Sequence, residues 1–252
     1  MSRKGRINLR VYAASPLCIL TTIFLLSSEW AHFKEQDTQV TSMAKLYFLG
    51  GENVAKRDAK EINEKAFQEA GGAPAVLVFP WARPSFDAGY KRRKKLADYF
   101  RSLGASSIDF SEFSDPFEDI TAKVARSDLI YLTGGQVSTL LSRLRKTGAD
   151  DLLRNYRGVV VGRSAGAIVL GKKCLVTNRY NGAPKVVAGL GLVDFSVKVH
   201  YQPSKDNLLK KLSETEKVYA IPQRAAVVYD NCAFSFVGEV FLFENGEKTV
   251  AK

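Results

Sequence analysis

From residue 45 onward the chain alternates short apolar runs with amphipathic stretches. Leu46-Tyr47-Phe48-Leu49 is unbroken and ends in Gly50-Gly51, which predicts a buried strand over 46–49 closed by a turn. Residues 58–70 read as a helix, with Asp58 as a candidate cap and Gly71-Gly72 as the stop. Strands follow over 75–80, 106–110, 128–132 and 159–161, and helices over 90–103, 117–126 and 138–146. Strands alternating with helices at this spacing predict a parallel sheet covered on both faces. In such sheets sites lie beyond the carboxyl ends of the strands. Past residue 174 the runs become short and strand-like, over 185–188, 196–200, 218–221, 225–229, 233–237 and 239–243, with one helix over 206–212. Gly238 and Asn245-Gly246 are turn signals, so these runs predict antiparallel additions and hairpins at an edge. The pattern is that of an α/β protein, a three-layer sandwich around a mostly parallel sheet, in one domain over residues 43–252.

Residues 1–42 differ. Arg3, Lys4, Arg6 and Arg10 precede an apolar run over 17–26, the layout of a secretory signal. That run is shorter than the roughly 20 apolar residues a membrane span needs. The segment Ser27-Ser28-Glu29-Trp30-Ala31 also lacks a clean small-residue cleavage pattern. Met43, standing directly before the first strand, supports the other reading, an upstream extension of the reading frame. The expectation is a non-structural leader and a cytoplasmic protein with no stable membrane span; a genuine signal would make it exported or anchored.

The chemistry concentrates in Val159-Val160-Val161-Gly162-Arg163-Ser164-Ala165-Gly166-Ala167-Ile168. A β-branched run feeds through one serine into small and apolar residues at helical spacing. Glycines on both sides permit the close approach that a sharp strand-to-helix turn demands. Such a turn holds a serine hydroxyl beyond the strand end, beside helix N–H groups that face developing negative charge. Leu132-Thr133-Gly134-Gly135-Gln136 is a second strand end that exposes backbone N–H groups, and Gln136 is a candidate substrate contact there. A third strand ends at His200, the sole histidine after residue 42. A serine hydroxyl needs a base to take its proton, and His200 is the imidazole at hand.

The chain has 252 residues, 46% hydrophobic and 25% charged, an ordinary globular composition. The formal charge of +11 raises the question of a polyanion partner. The basic residues are dispersed, however, and the one dense run, Lys91 to Lys95, opens a helical stretch and reads as its solvated face. No interleaved aromatics accompany it, so no nucleic-acid partner is expected. Three scattered cysteines (Cys18, Cys174, Cys232) and two histidines supply neither a disulfide framework nor metal-ligand spacing. The paired glycines lack the spacing of nucleotide-binding loops, so no cofactor and no metal are expected.

Three features together, the Leu-Thr-Gly-Gly-Gln strand end, the Gly-Arg-Ser-Ala-Gly-Ala turn, and Gly189-Leu190-Gly191-Leu192 before the strand ending in His200, resemble the dipeptidase E (aspartyl dipeptidase) and cyanophycinase family of serine peptidases. The resemblance runs over residues 44–244. It implies a class I glutamine amidotransferase-like fold and a short peptide substrate. It also implies a nucleophile at Ser164, a base at His200, and oxyanion donors from the backbone of Gly135 and Ala165. An amidotransferase proper would carry cysteine where Ser164 stands.

Two departures change the expectation. Where dipeptidase E has Thr-Asn-Asp and draws its third catalytic residue from that aspartate, this chain reads Thr177-Asn178-Arg179. Where other members place a carboxylate on a later strand end, it reads Ile221-Pro222-Gln223-Arg224, with no acid. Asn178, Asp194, Asp206 and Glu239 are the candidates for orienting the histidine. The arginine that holds an acidic substrate in aspartyl dipeptidases is also missing from the loop after His200, which offers Lys205 instead, a point charge without a bidentate fork. The leading expectation is a serine-type dipeptidase acting through an acyl-enzyme. A relative that kept the fold and lost the reaction, binding a peptide or small molecule, is the alternative. A polyanion-binding or membrane-surface protein is a third.

Overall fold

The computed structural model describes residues 43–83, 91–176 and 185–252. They belong to one compact unit, Ser42–Lys252. A seven-stranded sheet forms its centre. Five of the strands are parallel: β1 (Lys45–Leu49), β2 (Ala75–Phe79), β3 (Ser107–Phe110), β4 (Leu129–Leu132) and β5 (Val159–Arg163). They run in the order β1-β5-β4-β2-β3, with β10 (Ala226–Asp230) and β11 (Ala233–Val237) added antiparallel on the β1 side.

Side chains of the parallel strands alternate between two apolar layers, as the two-residue period of a strand requires. Leu46, Phe48, Leu77, Phe79, Ile130, Leu132 and Val160 face one layer. It is covered by α3 (Phe117–Ala125), α4 (Val137–Thr147), α5 (Ala149–Asn155) and α6 (Ala165–Leu170). Tyr47, Leu49, Val76, Val78, Leu129, Tyr131, Val159 and Val161 face the other, beneath α1 (Lys60–Glu69) and α2 (Lys91–Ser102). Both faces being buried explains why these strands are unbroken apolar runs in the sequence. The sandwich of three layers expected from the alternation is what the chain adopts.

The later strands divide. β10 and β11 extend the central sheet as expected. A separate four-stranded sheet takes β8 (Ser196–Val199), β9 (Val218–Ile221), β12 (Phe241–Glu244) and β13 (Glu247–Val250) in the order β13-β12-β9-β8. α7 (Asp206–Ser213) connects β8 to β9, which pair in parallel. A hairpin of β6 (Lys173–Val176) and β7 (Lys185–Ala188) completes the set. α5, β6 and β13 stand outside the elements that the apolar pattern predicts. The first two are apolar on one side for only about a turn or two residues, too short for their period to stand out.

Two local expectations fail for identifiable reasons. Asp58 does not cap α1; Ala59 occupies the cap position without a side-chain bond, and the Asp58 carboxylate accepts the Asn53 N–H at 2.7 Å instead. The basic run is not wholly a solvated face. Arg92, Lys94 and Lys95 are exposed, but Arg93 is buried and grips the Glu112 carboxylate with two guanidinium nitrogens. Among the described residues no helix is long and apolar enough to cross a membrane.

Candidate active site

Three strands end at one place. β5 runs through Arg163 into Ser164, whose φ of 54° and ψ of −107° lie outside the relaxed conformations of a non-glycine residue. α6 begins at the next residue, so the sequence had room for one residue in the turn and the strain falls on the serine. The flanking glycines make the approach possible. A Cβ on Gly162 would stand 2.6 Å from the backbone of Gly166, and one on Gly166 would stand 2.4 Å from the Leu132 carbonyl oxygen. As the first helical residue, Ala165 has an N–H with no acceptor inside its helix.

His200 follows β8, also at positive φ (48°). Its Nε2 lies 2.7 Å from Ser164 Oγ, and its Nδ1 lies 2.9 Å from Gln223 Oε1. When Nε2 accepts the serine hydroxyl, Nδ1 carries the ring hydrogen and donates it to the Gln223 carboxamide oxygen. Serine, imidazole and amide thus form one hydrogen-bonded chain with donors and acceptors in the order a general base needs.

The stretch Ile221-Pro222-Gln223-Arg224 contains no acid, and the carboxamide of Gln223 is the group the fold delivers to Nδ1. Its position after β9, parallel to and paired with β8, carries it to the same end as His200. The named candidates lie elsewhere. Asp206 accepts from the Tyr201 hydroxyl and pairs with Lys248 at 3.0 Å. Asp194 is exposed, and its charge acts on the phenols of Tyr219 and Tyr229; Glu239 is exposed. Asn178 lies outside the described residues.

Gly134 and Gly135 follow β4 after Thr133. A Cβ on Gly134 would lie 3.2 Å from Ser164 Cβ, so this turn abuts the serine. Gly135 packs more tightly still on the Ala82 carbonyl oxygen, 2.4 Å from where its Cβ would be. Gln136 sits at the start of α4, exposed, its N–H bonded to Ala82 O at 2.7 Å and its Oε1 accepting from Thr139 at 2.8 Å. Lys205 is exposed in the single 3₁₀ turn after His200. Two residues before His200, Lys198 is buried in β8, and burial, together with the nearby charge of Lys205, pushes its ammonium pKa down.

A model of peptidase family S51 matches residues 46–241. The chain belongs to peptidase family S51. Among similar proteins, the uncharacterized peptidase Lmo0363 of Listeria monocytogenes is 30% identical over 139 residues, 50% of this chain and 68% of that protein. The cyanophycinase of Synechococcus elongatus is 28% identical over 199 residues, covering 73% of this chain and 60% of the relative. Among solved structures, a putative peptidase E protein from Listeria monocytogenes superposes with a TM-score of 0.60 at 22% identity, over 77% of this chain and 98% of that one. The S51 chain has the glutamine amidotransferase-like α/β fold of these neighbours.

Next in the chain after Gly51, whose Cβ would meet the His200 ring, comes a residue with no mark in the sequence pattern. Glu52, after Gly50-Gly51, has a fully buried side chain. Tyr131 donates its hydroxyl to Oε1, Asn63 donates Nδ2 to Oε2 at 3.0 Å, and the Arg163 guanidinium stands 3.8 Å from Oε1. Burial raises the Glu52 pKa, opposed by Arg163. Gly-Gly-Glu after a strand reads as an ordinary polar turn, so no local signal marks the residue.

Proposed function

We propose that this chain is a serine-type exopeptidase that cleaves short peptides through an acyl-enzyme on Ser164. The observation that carries the reading is the Ser164–His200–Gln223 chain, at 2.7 and 2.9 Å. His200 Nε2 takes the hydroxyl proton as Oγ attacks the scissile carbonyl carbon. The oxyanion that forms is received by the backbone N–H groups of Gly135 and Ala165, reinforced by the N-terminal end of α6. The imidazolium then returns its proton to the leaving amine, and water repeats the sequence on the acyl-enzyme. Gln223 holds the ring in the tautomer with Nε2 free to accept. Being neutral, it stabilises the imidazolium less than a carboxylate would, which sets this site below a carboxylate-supported one in rate. Lys205 is the cationic candidate for an acidic group on the substrate.

The neutral amide also favours a second reading, a peptide-binding relative with an idle serine. Turnover separates the two. A panel of dipeptides and aminoacyl anilides, Asp-Xaa included, is offered to wild type and Ser164→Ala. Hydrolysis by wild type that falls by at least about 10³-fold in the variant supports the peptidase. Binding of a panel member without hydrolysis by either protein supports the alternative.

A further inference from the structure

Three residues at or beside the working side chains hold positive φ: Ser164 (54°), His200 (48°) and Arg224 (63°), the last following Gln223. Each donates its backbone N–H to one of three consecutive carbonyl oxygens. Ser164 donates to Leu49 at 2.9 Å, His200 to Gly50 at 3.1 Å, and Arg224 to Gly51 at 2.9 Å. Serine, imidazole and amide are therefore strung on a single stretch of backbone, the one that leaves β1. Gly51 also packs on the ring itself, since a Cβ there would stand 2.2 Å from His200 Cε1. Conformations this strained persist only where the surroundings hold them. What holds this stretch at its far end is the side chain of Glu52.

We infer that Glu52 is the positioning residue of the catalytic apparatus, its buried carboxylate fixing the Leu49–Gly51 template and, through Arg163, the nucleophile turn. This deepens the serine-peptidase reading and rests on it. The carboxylate grips three elements at once: β4 through Tyr131, α1 through Asn63, and β5 through Arg163, which immediately precedes Ser164. Arg163 in turn lies against the oxyanion turn, its Nε 3.4 Å from where a Gly134 Cβ would be. A buried carboxylate is an expensive way to fill space, because an ion loses its hydration there. Its raised pKa is the sign of that cost, and a residue that costs the fold while joining three elements next to a site has the profile of a functional one.

The test compares Glu52→Gln, which keeps the shape and removes the charge while turning one of the two acceptor oxygens into a donor, with Arg163→Gln and with the double variant. Steady-state kinetics, melting temperature and the ¹⁵N resonances of the His200 ring are read for each. The inference expects kcat to fall about ten- to a hundredfold in Glu52→Gln, with KM within about threefold and no lower melting temperature. The double variant is expected to be no slower than the slower single, because both act through one contact. The His200 ring is expected to lose its single locked tautomer. Unchanged kcat with an unchanged ring signal overturns the inference, as does a KM increase at constant kcat, which would make the pair a substrate contact. A fall in kcat matched by loss of folded protein overturns it too. Wild-type protein without turnover would instead defeat the peptidase reading, and the ring resonances would still decide the role of Glu52.

Discussion

Gln223 is where this chain departs most from a conventional catalytic triad. An amide oxygen can fix the imidazole tautomer as a carboxylate does, but it adds no negative charge beside the ring that becomes positive in the transition state. Gln223→Glu is therefore expected to raise kcat by about tenfold or more and to move the acid limb of the pH–rate profile upward, because a carboxylate favours the protonated ring. Gln223→Ala is expected to lower kcat at least about tenfold, since nothing then fixes which nitrogen carries the hydrogen. The pH dependence of kcat/KM for the three proteins checks both. Ser164 and His200 were legible in the sequence because each terminates a recognisable strand. Gln223 was not, because a search for an acid passes over an amide, and its partnership with His200 depends on β8 and β9 pairing in parallel across α7. Glu52 was less legible still: its partners Asn63, Tyr131 and Arg163 come from three different elements.

At the scale of elements, the site depends on how closely α6 and the turn after β1 approach their neighbours. Gly166 leaves no room for a methyl group against β4. Gly166→Ala is expected to destabilise the fold by about 1–3 kcal/mol, the cost of overpacking against backbone that cannot move aside, as measured by urea denaturation. Gly51→Ala acts on function instead. Its Cβ would collide with the His200 ring, at a residue whose φ of 149° already disfavours a side chain. The expected result is a loss of kcat of at least about a hundredfold in protein that remains folded by circular dichroism. The pattern Gly-x-Ser-x-Gly by itself implies the first of these packing constraints. The second was hidden, because Gly50-Gly51 looked like a strand stop rather than the floor under an imidazole.

Across the whole molecule, the parallel core follows directly from the alternation of apolar runs and amphipathic helices, whereas the second sheet does not. Its strands, β8, β9, β12 and β13, are four residues each, too brief for periodicity to say which sheet they join. That sheet nevertheless carries His200 and Gln223 to the serine. One consequence reaches overall stability. Glu52 binds its proton more tightly in the folded than in the unfolded chain, since burial outweighs Arg163, Tyr131 and Asn63, and Asp58 adds to the shift. Its contribution is thus fully present below the unfolded carboxylate pKa and is lost as pH rises through the folded value. Glu52→Gln is expected to gain stability relative to wild type between about pH 4 and neutrality, by urea denaturation at several pH values.

The central claim is that Ser164 is a nucleophile activated by His200. The most direct test is covalent labelling by a phosphonylating probe, with the modified residue located by mass spectrometry. The account predicts one equivalent of probe on Ser164 in wild type, no label at that position in Ser164→Ala, and labelling slowed by at least about a hundredfold in His200→Ala. Folded wild-type protein that leaves Ser164 unmodified, or that labels as fast without His200, would contradict it.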